Sequence, residues 1–569
     1  MRYFALAVDY DGTLATQGIV HEATVAALER LRHSGRKLLL VTGRELEDLQ
    51  GVFSGLAIFD LIVAENGALL YDPASRQEEP LAKSPPGEFA DTLRLRGVLP
   101  LSTGRVIVAT TEPNQTAVLD TIRTMGLELQ VIFNKGSVMV LPSGINKASG
   151  LGAALEKLKL SSHNVVAAGD AENDHAFLDS CECAVAVANA LPSLKESADL
   201  VTSAAQGAGV VELIDWILRS DLTEVEAKLA RHHLVLGETL TGEPAFLKPY
   251  GENVLLAGTS GGGKSTLATR FVEDLVSHRY QAVIIDPEGD YANLQPAAIL
   301  GTTRAAPDPA EVLKLLENPL QHVVVSLTGV SRDQRPSYFE EILPRLLEIR
   351  GRLGHPHWII IDETHHVMPA SRTPAVGLFP EGISGLMFVT VDPGHVTPSL
   401  LPMIDVLLTI GDAPEQTIRD FSALTGREPP LFDTSGLKPG DAFIWPVHKS
   451  APVRFKGSPP EMERQRHKRK YAEGELSPET SFYFRGPESR LNLRAQNLML
   501  FIQVAEGIDD ETWLYHLKRG DYSQWFRGSI KDDDLADTAK EVESLEGIGA
   551  SVSRERIKSL IEERYTVAA

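Results

Sequence analysis

FALAVDYDGTL, residues 4–14, is a short apolar run that ends in two carboxylates, Asp9 and Asp11. An apolar run of this length followed by a turn is typical of a buried strand in a parallel sheet. Open parallel sheets bind ligands at the carboxyl ends of their strands, so we expect both acids to line a site. Similar runs alternate with amphipathic helical stretches up to about residue 450. This alternation predicts the α/β fold class.

Three later segments also place polar residues at the ends of expected strands or at the start of a helix. They are LLLVTGR (38–44), GINKASG (144–150) and VVAAGDAENDHAF (165–177). In this order, together with DYDGT, they resemble the haloacid dehalogenase (HAD) superfamily of phosphatases. AENGALLYD (64–72) and AVAVANALPSLKESADLVT (184–202) are similar to its Cof-type branch. The resemblance covers residues 1–220 and implies a Rossmann-like parallel sheet.

The resemblance implies a catalytic role for four residues. Asp9 would be the nucleophile that forms an aspartyl-phosphate, and Asp11 would be the general acid and base. Lys147 would neutralise the transferring phosphoryl group, and Thr42 would hydrogen-bond it together with the Gly12 amide. A carboxylate attacks a phosphate dianion only when charge is cancelled, which explains the need for cations at this site.

The same resemblance implies a magnesium site. Its ligands would be Asp9, the backbone carbonyl of Asp11, and Asp170. Asn173 and Asp174 would support them. Mg²⁺ prefers hard oxygen ligands, and these residues supply them.

Spacing indicates where a cap is inserted. Between Asp11 and Thr42 there is room for one helix, HEATVAALERLRHSG (21–35). The extra residues lie between Asp72 and Lys147, where two helical and three strand patterns predict a small α/β cap over about residues 80–142. Cof-type enzymes with such caps act on sugar phosphates and other small phosphate esters, so we expect a small phosphorylated metabolite as substrate.

A second phosphate site follows. NVLLAGTSGGGKSTLATRFVEDL (253–275) is an apolar strand, a glycine loop and a helix, and the loop fits GxxxxGK[ST]. Backbone N–H groups of such a loop cradle phosphates, its lysine reaches the β- and γ-phosphates, and its hydroxyl binds Mg²⁺. We therefore predict a nucleotide-binding loop whose lysine is Lys264 and whose Mg²⁺ ligand is Ser265. The complete set is Gly258, Thr259, Ser260, Gly261, Gly262, Gly263, Lys264, Ser265 and Thr266.

HWIIIDETHH (357–366) predicts the other half of this site. Asp362 would hold Mg²⁺ through water, and Glu363 would polarise the attacking water. Without a third ligand at metal spacing, His365 and His366 are not expected to bind zinc. With QAVIIDPEGDY (281–291), these motifs resemble the HerA/FtsK group of ring-forming ATPases. The resemblance implies a RecA-like domain, ATP, and a hexamer with sites at subunit interfaces.

One departure from that group concerns its sensor. At the corresponding place the chain has MFVTVDPGH (387–395), with neither a polar sensor nor an arginine. An arginine finger contributes about 10³ to 10⁵ in rate, so its loss would turn a motor into a slow switch. Arg419 and Arg427 are candidate replacements.

After residue 458 the strand signals stop. SPPEMERQRHKRKYAEGELSP (458–478) has the composition of a solvated, basic linker. NLRAQNLMLFIQVAE (492–506), ETWLYHLKRG (511–520) and DYSQWFRGSI (521–530) predict helices packed around Trp513 and Trp525. We therefore predict three domains, a HAD phosphatase over 1–220, a HerA-like ATPase over 221–458 and a helical domain over 459–569.

Composition limits the function. A formal net charge of −22 with 43% hydrophobic residues indicates a folded, acidic chain, which argues against a general nucleic-acid binder. Only two cysteines, and no signal segment or apolar run long enough to span a membrane, predict a cytoplasmic protein without a membrane partner.

We favour a bifunctional enzyme, a Mg²⁺-dependent phosphatase joined to an ATP-hydrolysing module. A DNA-processing translocase whose HAD part trims nucleic-acid or nucleotide phosphates is the alternative. The third hypothesis makes the P-loop part a kinase whose reaction the phosphatase opposes. The Asp362–Glu363 pair, which is typical of hydrolysis, argues against it.

Overall fold

The computed structural model describes residues 1–224, 230–259, 262–449, 451–460, 471, 476, 480–530, 532–545 and 547–565. The chain forms two compact units, Met1–Ser458 and Pro459–Ala569. Within the described ranges, none of the helices has the length and apolar character needed to cross a lipid bilayer. The predicted basic linker lies mostly outside the described residues, as does part of the charged segment after residue 224.

The first sheet begins with the strand that Asp9 follows. Along the chain, three parallel strands alternate with two helices, and two antiparallel strands come next. In chain order these elements are β1 (Ala5–Val8), α1 (Glu22–His33), β2 (Lys37–Val41), α2 (Leu46–Val52), β3 (Leu61–Ala64), β4 (Leu69–Asp72) and β5 (Gln77–Pro80). The single long helix between Asp11 and Thr42 confirms the sequence prediction.

The next elements form a separate four-stranded antiparallel sheet with two helices. They are α3 (Gly87–Leu95), β6 (Leu101–Thr103), β7 (Val108–Thr111), α4 (Gln115–Met125), β8 (Leu129–Asn134) and β9 (Ser137–Pro142). Both predicted helices are present, and β6 is an additional strand that the sequence did not reveal. Apolar residues from both helices and the sheet form its core, including Phe89, Leu93 and Val140.

The chain then returns to the first sheet. The elements are α5 (Lys147–Leu158), β10 (Val165–Gly169), α6 (His175–Asp179), β11 (Cys183–Ala186), α7 (Pro192–Ser197), β12 (Leu200–Val201) and α8 (Gln206–Ser220). The strand order is β12-β11-β10-β1-β2-β3-β4-β5, and β1 pairs in parallel with both β10 and β2. The ends of β1, β2 and β10 therefore meet at one edge of the sheet.

The second sheet has eleven strands in the order β14-β13-β23-β22-β21-β15-β20-β19-β16-β18-β17. Its elements are β13 (Leu234–Thr239), β14 (Pro244–Leu247), β15 (Asn253–Ala257), α9 (Lys264–Ser277), β16 (Ala282–Asp286), β17 (Ala298–Leu300), α10 (Pro309–Leu316), β18 (Val323–Ser326), α11 (Arg335–Leu353), β19 (Trp358–Ile361), β20 (Leu386–Thr390), β21 (Val406–Ile410), α12 (Pro414–Thr425), β22 (Asp441–Pro446) and β23 (Val453–Gly457). The strands from β21 to β17 are parallel.

The eight-stranded and the eleven-stranded sheets of the first unit meet at a buried polar cluster centred on Glu182. Arg2 donates to Glu182 at 2.6 Å, and His163 and Tyr280 each contact its other oxygen at 2.7 Å. His163 also contacts the carbonyl of His278 at 2.6 Å and stacks on Tyr280. Burial alone would raise the pKa of Glu182, but the hydrogen bond with His163 and the charge of Arg2 outweigh it and lower that pKa to about 2.

The second unit contains a two-stranded sheet and five α-helices among its described residues. They are β24 (Phe482–Phe484), β25 (Leu493–Ala495), α13 (Leu498–Gly507), α14 (Asp510–Arg519), α15 (Asp521–Trp525), α16 (Asp533–Glu543) and α17 (Ala550–Tyr565). The helical domain predicted after residue 458 is confirmed, but the prediction that this part has no strands is wrong, and the helix predicted from Asn492 begins at Leu498. Pairing with β24 holds Leu493–Ala495 extended. Trp513 and Trp525 are buried in this core, as predicted.

Candidate active sites

Asp9 and Lys147 form the centre of the first site. Asp9 follows β1 directly, and Lys147 is the first residue of α5, whose N-cap is Asn146. The Lys147 Nζ lies 2.5 Å from Asp9 Oδ1 and 2.6 Å from Asp174 Oδ1, and its side chain is only 1% exposed. Burial and the charge of Asp174 raise the pKa of Asp9, although Lys147 partly opposes this. The buried ammonium is thus held between two carboxylates.

The β10 end supplies the other predicted metal residues. Asp174 accepts hydrogen bonds from the amides of Asp170 and Ala171 at 2.8 and 2.9 Å, so it fixes the turn that carries Asp170. Asn173 Nδ2 donates to Asn66 Oδ1 at 2.8 Å. Its own Oδ1 is buried and has no hydrogen-bond partner among the described residues.

Carboxylate oxygens of Asp9, Asp170 and Asp174 lie within 4.8 Å of one another. All three residues are buried. A buried group of oxygen donors is the chemistry that Mg²⁺ prefers, so these residues fit a magnesium ion. The structure brings the predicted metal residues of this site to one sheet edge.

Asp11 and Thr42 lie at the same edge. Arg44 binds both oxygens of Asp11, with Nε and Nη2 at 2.6 and 2.7 Å, and also pairs with Asp48. Thr42 is buried, and its Oγ1 accepts the amide of Arg44 at 3.2 Å. Arg44 is a site residue that the sequence interpretation missed, although it ends the quoted motif LLLVTGR.

The cap contributes a further cation. Lys135 Nζ donates to the backbone oxygen of Asp11 at 2.7 Å and to Asp170 Oδ2 at 2.8 Å. Gly12 has a φ of 88°, and a Cβ there would come within 2.4 Å of Asp170, so glycine is needed at this contact. Lys135 was not predicted as a site residue, because nothing in its local sequence shows which side of the cap faces the site.

A buried acid joins the cap to the core. Glu65 follows β3 and accepts the amides of Arg105, Val106 and Ile107 at 2.7, 2.8 and 2.9 Å. Those three residues precede β7 of the cap. Charge-assisted hydrogen bonds to backbone amides are strong, so this contact fixes where the cap lies over the site.

The second site lies at the ends of β15, β19 and β20. Gly263 has a φ of 99° and precedes α9, and Lys264 Nζ donates to the backbone oxygen of Thr259 at 3.1 Å. Ser265 and Thr266 follow in the first turn of α9, and Gly258 and Gly262 pack against Ile410 and Gly411. Ser260 and Gly261, also predicted to bind nucleotide, lie outside the described residues.

Asp362 and Glu363 follow β19. Asp362 is 1% exposed; its Oδ1 accepts the Glu363 amide at 2.9 Å, and its Oδ2 is buried without a hydrogen-bond partner among the described residues. Burial, together with the charges of Asp290, Glu363 and Asp286, raises the pKa of Asp362 to about 8. A buried, unpaired carboxylate oxygen fits the predicted role of holding a cation.

Other groups surround the second site. Asp286 accepts the amides of Gly289, Asp290 and Tyr291, which forms the predicted turn after β16. Arg335 is buried and contacts Glu288 and His366 at 3.3 and 2.9 Å, a group that the sequence interpretation missed. The candidate finger Arg419 pairs with Glu415 on α12, and Arg427 donates to the carbonyl of Val447.

Comparison with known proteins places the first site in a family. Residues 6–96 and 107–214 match the family model of haloacid dehalogenase-like hydrolases. A phosphoglycolate phosphatase of Methanothermobacter thermautotrophicus is 33% identical over 220 residues, which cover 37% of this chain and 96% of that protein. The chain belongs to the haloacid dehalogenase-like hydrolases. Phosphoglycolate phosphatase 2 of Saccharolobus solfataricus is 30% identical over 225 residues, covering 37% of this chain and 91% of its own length.

This haloacid dehalogenase-like hydrolase carries a second family match. Residues 251–344 match the central domain of helicase HerA, and they include the glycine loop, α9 and the turn after β16. Among solved structures, a haloacid dehalogenase-like hydrolase from Bacteroides thetaiotaomicron has a TM-score of 0.34 and 20% identity. It covers 38% of this chain and 99% of its own. The two family matches confirm the predicted pairing of a HAD part with a HerA part.

Proposed function

We propose that residues 1–220 hydrolyse a small phosphorylated acid such as 2-phosphoglycolate through an aspartyl-phosphate. The observation that carries this proposal is Lys147, buried between Asp9 and Asp174 beside Asp170. The names of the related phosphatases support a phosphorylated acid rather than a sugar phosphate. When bound, Mg²⁺ would supply positive charge that lowers the repulsion between a carboxylate and a phosphate. Asp9, the Asp11 carbonyl and Asp170 would hold it.

The reaction has two steps at Asp9. A carboxylate oxygen of Asp9 forms a bond to phosphorus while the ester P–O bond breaks, and the leaving oxygen takes a proton from Asp11. Water then attacks phosphorus and gives a proton to Asp11. Inorganic phosphate leaves, and the Asp9 carboxylate is restored. Arg44 orients Asp11 for both transfers, and each Asp11 oxygen keeps a second lone pair for the reacting proton.

The experiment is to compare the full chain with its Asp9→Asn variant, using phosphate release from 2-phosphoglycolate in the presence of Mg²⁺ and without ATP. Turnover should fall to background in the variant, because an amide oxygen cannot form the covalent intermediate. ATP hydrolysis by the same sample serves as the folding control and should be retained. Residual ester turnover above background would refute the nucleophile assignment.

We further propose that residues 221–458 bind and hydrolyse ATP with Lys264, Ser265, Asp362 and Glu363. The buried, unpaired Asp362 oxygen and the match to the HerA central domain support this proposal. The hexamer that ring-forming relatives imply, a cytoplasmic location and the domain boundary at residue 220 stay predictions.

A further inference from the structure

The turn between β8 and β9 of the cap reaches the phosphoryl-transfer site. Asn134 pairs with Ser137 across this hairpin, which leaves Lys135 and Gly136 as the two turn residues. Both have left-handed φ angles, 48° and 81°. Such turns favour asparagine and glycine, so a lysine here adopts a conformation that side chains disfavour. The carbonyl of Gly136 accepts the Glu112 amide at 3.0 Å, which anchors the turn beside β7.

Lys135 differs from the other two cations of the site in its surroundings. Lys147 is buried between two carboxylates, and Arg44 is held by Asp11 and Asp48. The Lys135 side chain is 45% exposed, so its ammonium stands at the boundary between site and solvent. Lys135 is thus the most exposed of these three cations.

The oxygens that Lys135 contacts are also predicted to bind Mg²⁺. Its ammonium donates to the Asp11 carbonyl and to Asp170, the groups proposed to hold Mg²⁺. A divalent cation on those oxygens would take over these contacts. The Lys135 ammonium would then be available to another anion, and a substrate with two acidic groups brings one.

We propose that Lys135 is a specificity-determining residue that binds the carboxylate of a phosphorylated acid substrate. This inference rests on the proposed phosphatase function. It assigns the cap turn, rather than a core motif, the task of distinguishing phosphorylated acids from neutral phosphate esters.

The test compares two esters of nearly equal size, 2-phosphoglycolate and ethyl phosphate, with the full chain. Lys135→Gln should lower kcat/KM for 2-phosphoglycolate by about 10- to 100-fold, mainly through KM, since a hydrogen bond to a charged group is lost. The loss on ethyl phosphate should be much smaller. Lys135→Arg should restore part of the preference, and Lys83→Gln, which removes an exposed lysine beside the cap, should leave it unchanged.

Binding gives a readout that does not depend on turnover. In the Asp9→Asn background, calorimetry with 2-phosphoglycolate and Mg²⁺ should show weaker binding when Lys135→Gln is added. Equal losses on both esters, or an unchanged preference, would overturn the inference while the phosphatase proposal stands. A wild-type chain that is inactive on both esters would instead refute the phosphatase proposal and this inference with it.

Discussion

The two phosphate sites use the same residue types but arrange their charges differently. In the first site, the lysine comes from a distant helix and lies between Asp9 and Asp174. In the second, Lys264 belongs to the glycine loop itself and donates to the carbonyl of Thr259. One lysine therefore pairs with the acids of its site, whereas the other contacts its own loop.

The carboxylates of the two sites also differ in their hydrogen-bond partners. Asp174 accepts hydrogen bonds from Lys147 and from two backbone amides. Asp362 has one buried oxygen without a hydrogen-bond partner among the described residues, and its pKa is raised to about 8. The acids of the first site pair with a lysine, whereas the buried Asp362 oxygen of the second has no such partner among the described residues and is available to a bound cation. Replacing the lysine should thus destabilise the fold at the first site but affect only ligand binding at the second.

The largest expected effect is that of the two lysines. Lys147→Met leaves Asp9 and Asp174 buried without their cation, which should destabilise the phosphatase part by about 3–5 kcal/mol and abolish ester turnover. Lys264→Met should abolish ATP hydrolysis but cost only about 1 kcal/mol, the worth of one ordinary hydrogen bond. Hydrogen exchange of peptides spanning β1 and β15 measures the loss of stability in the two parts, and ester and ATP turnover assays measure the loss of activity. The control is Lys157→Met, an exposed lysine on α5. Equal protection in the two lysine variants would contradict the comparison.

A smaller effect is expected from Glu363→Gln. This variant should still bind ATP and Mg²⁺ but hydrolyse ATP about 10²- to 10⁴-fold more slowly, since a general base is lost. Ester turnover at the first site should stay at the wild-type level. Hydrolysis that persists in Glu363→Gln would place the activation of water on another residue of the second site.

The smallest effect concerns DNA. With a net charge of −22, the chain should show the same rate of ATP hydrolysis with and without double-stranded DNA. Lys264→Met gives the background rate for this assay. A several-fold stimulation that depends on Lys264 would favour the translocase alternative and would make the nucleotide site a motor rather than a switch.

The sequence predicted the elements whose signal is local. The strand ending at Asp9, the helix Glu22–His33 and the turn after Asp286 each follow from apolar pattern and turn chemistry. Arg44, Lys135 and Glu65 were missed because their partners lie 33 or more residues away along the chain. Only the folded chain brings them together.

The short strand Leu493–Ala495 shows another limit of local patterns. Its residues continue the apolar periodicity of the helix that follows, so the sequence predicts one longer helix. Hydrogen bonds with Phe482–Phe484 decide the outcome, and these residues precede the strand across a turn that contains Gly486. Pairing partners, rather than intrinsic preference, determine such short strands.

The cluster around Glu182 affects how this fusion can change during evolution. A descendant that lost everything after residue 220 would lose Tyr280 and the His278 carbonyl, and water would reach a carboxylate that is now fully buried. Such a shortened gene would need compensating substitutions at His163 and Glu182 before its product was as stable as the parent. The two parts of the chain have become difficult to separate, because each supplies part of the other's interior.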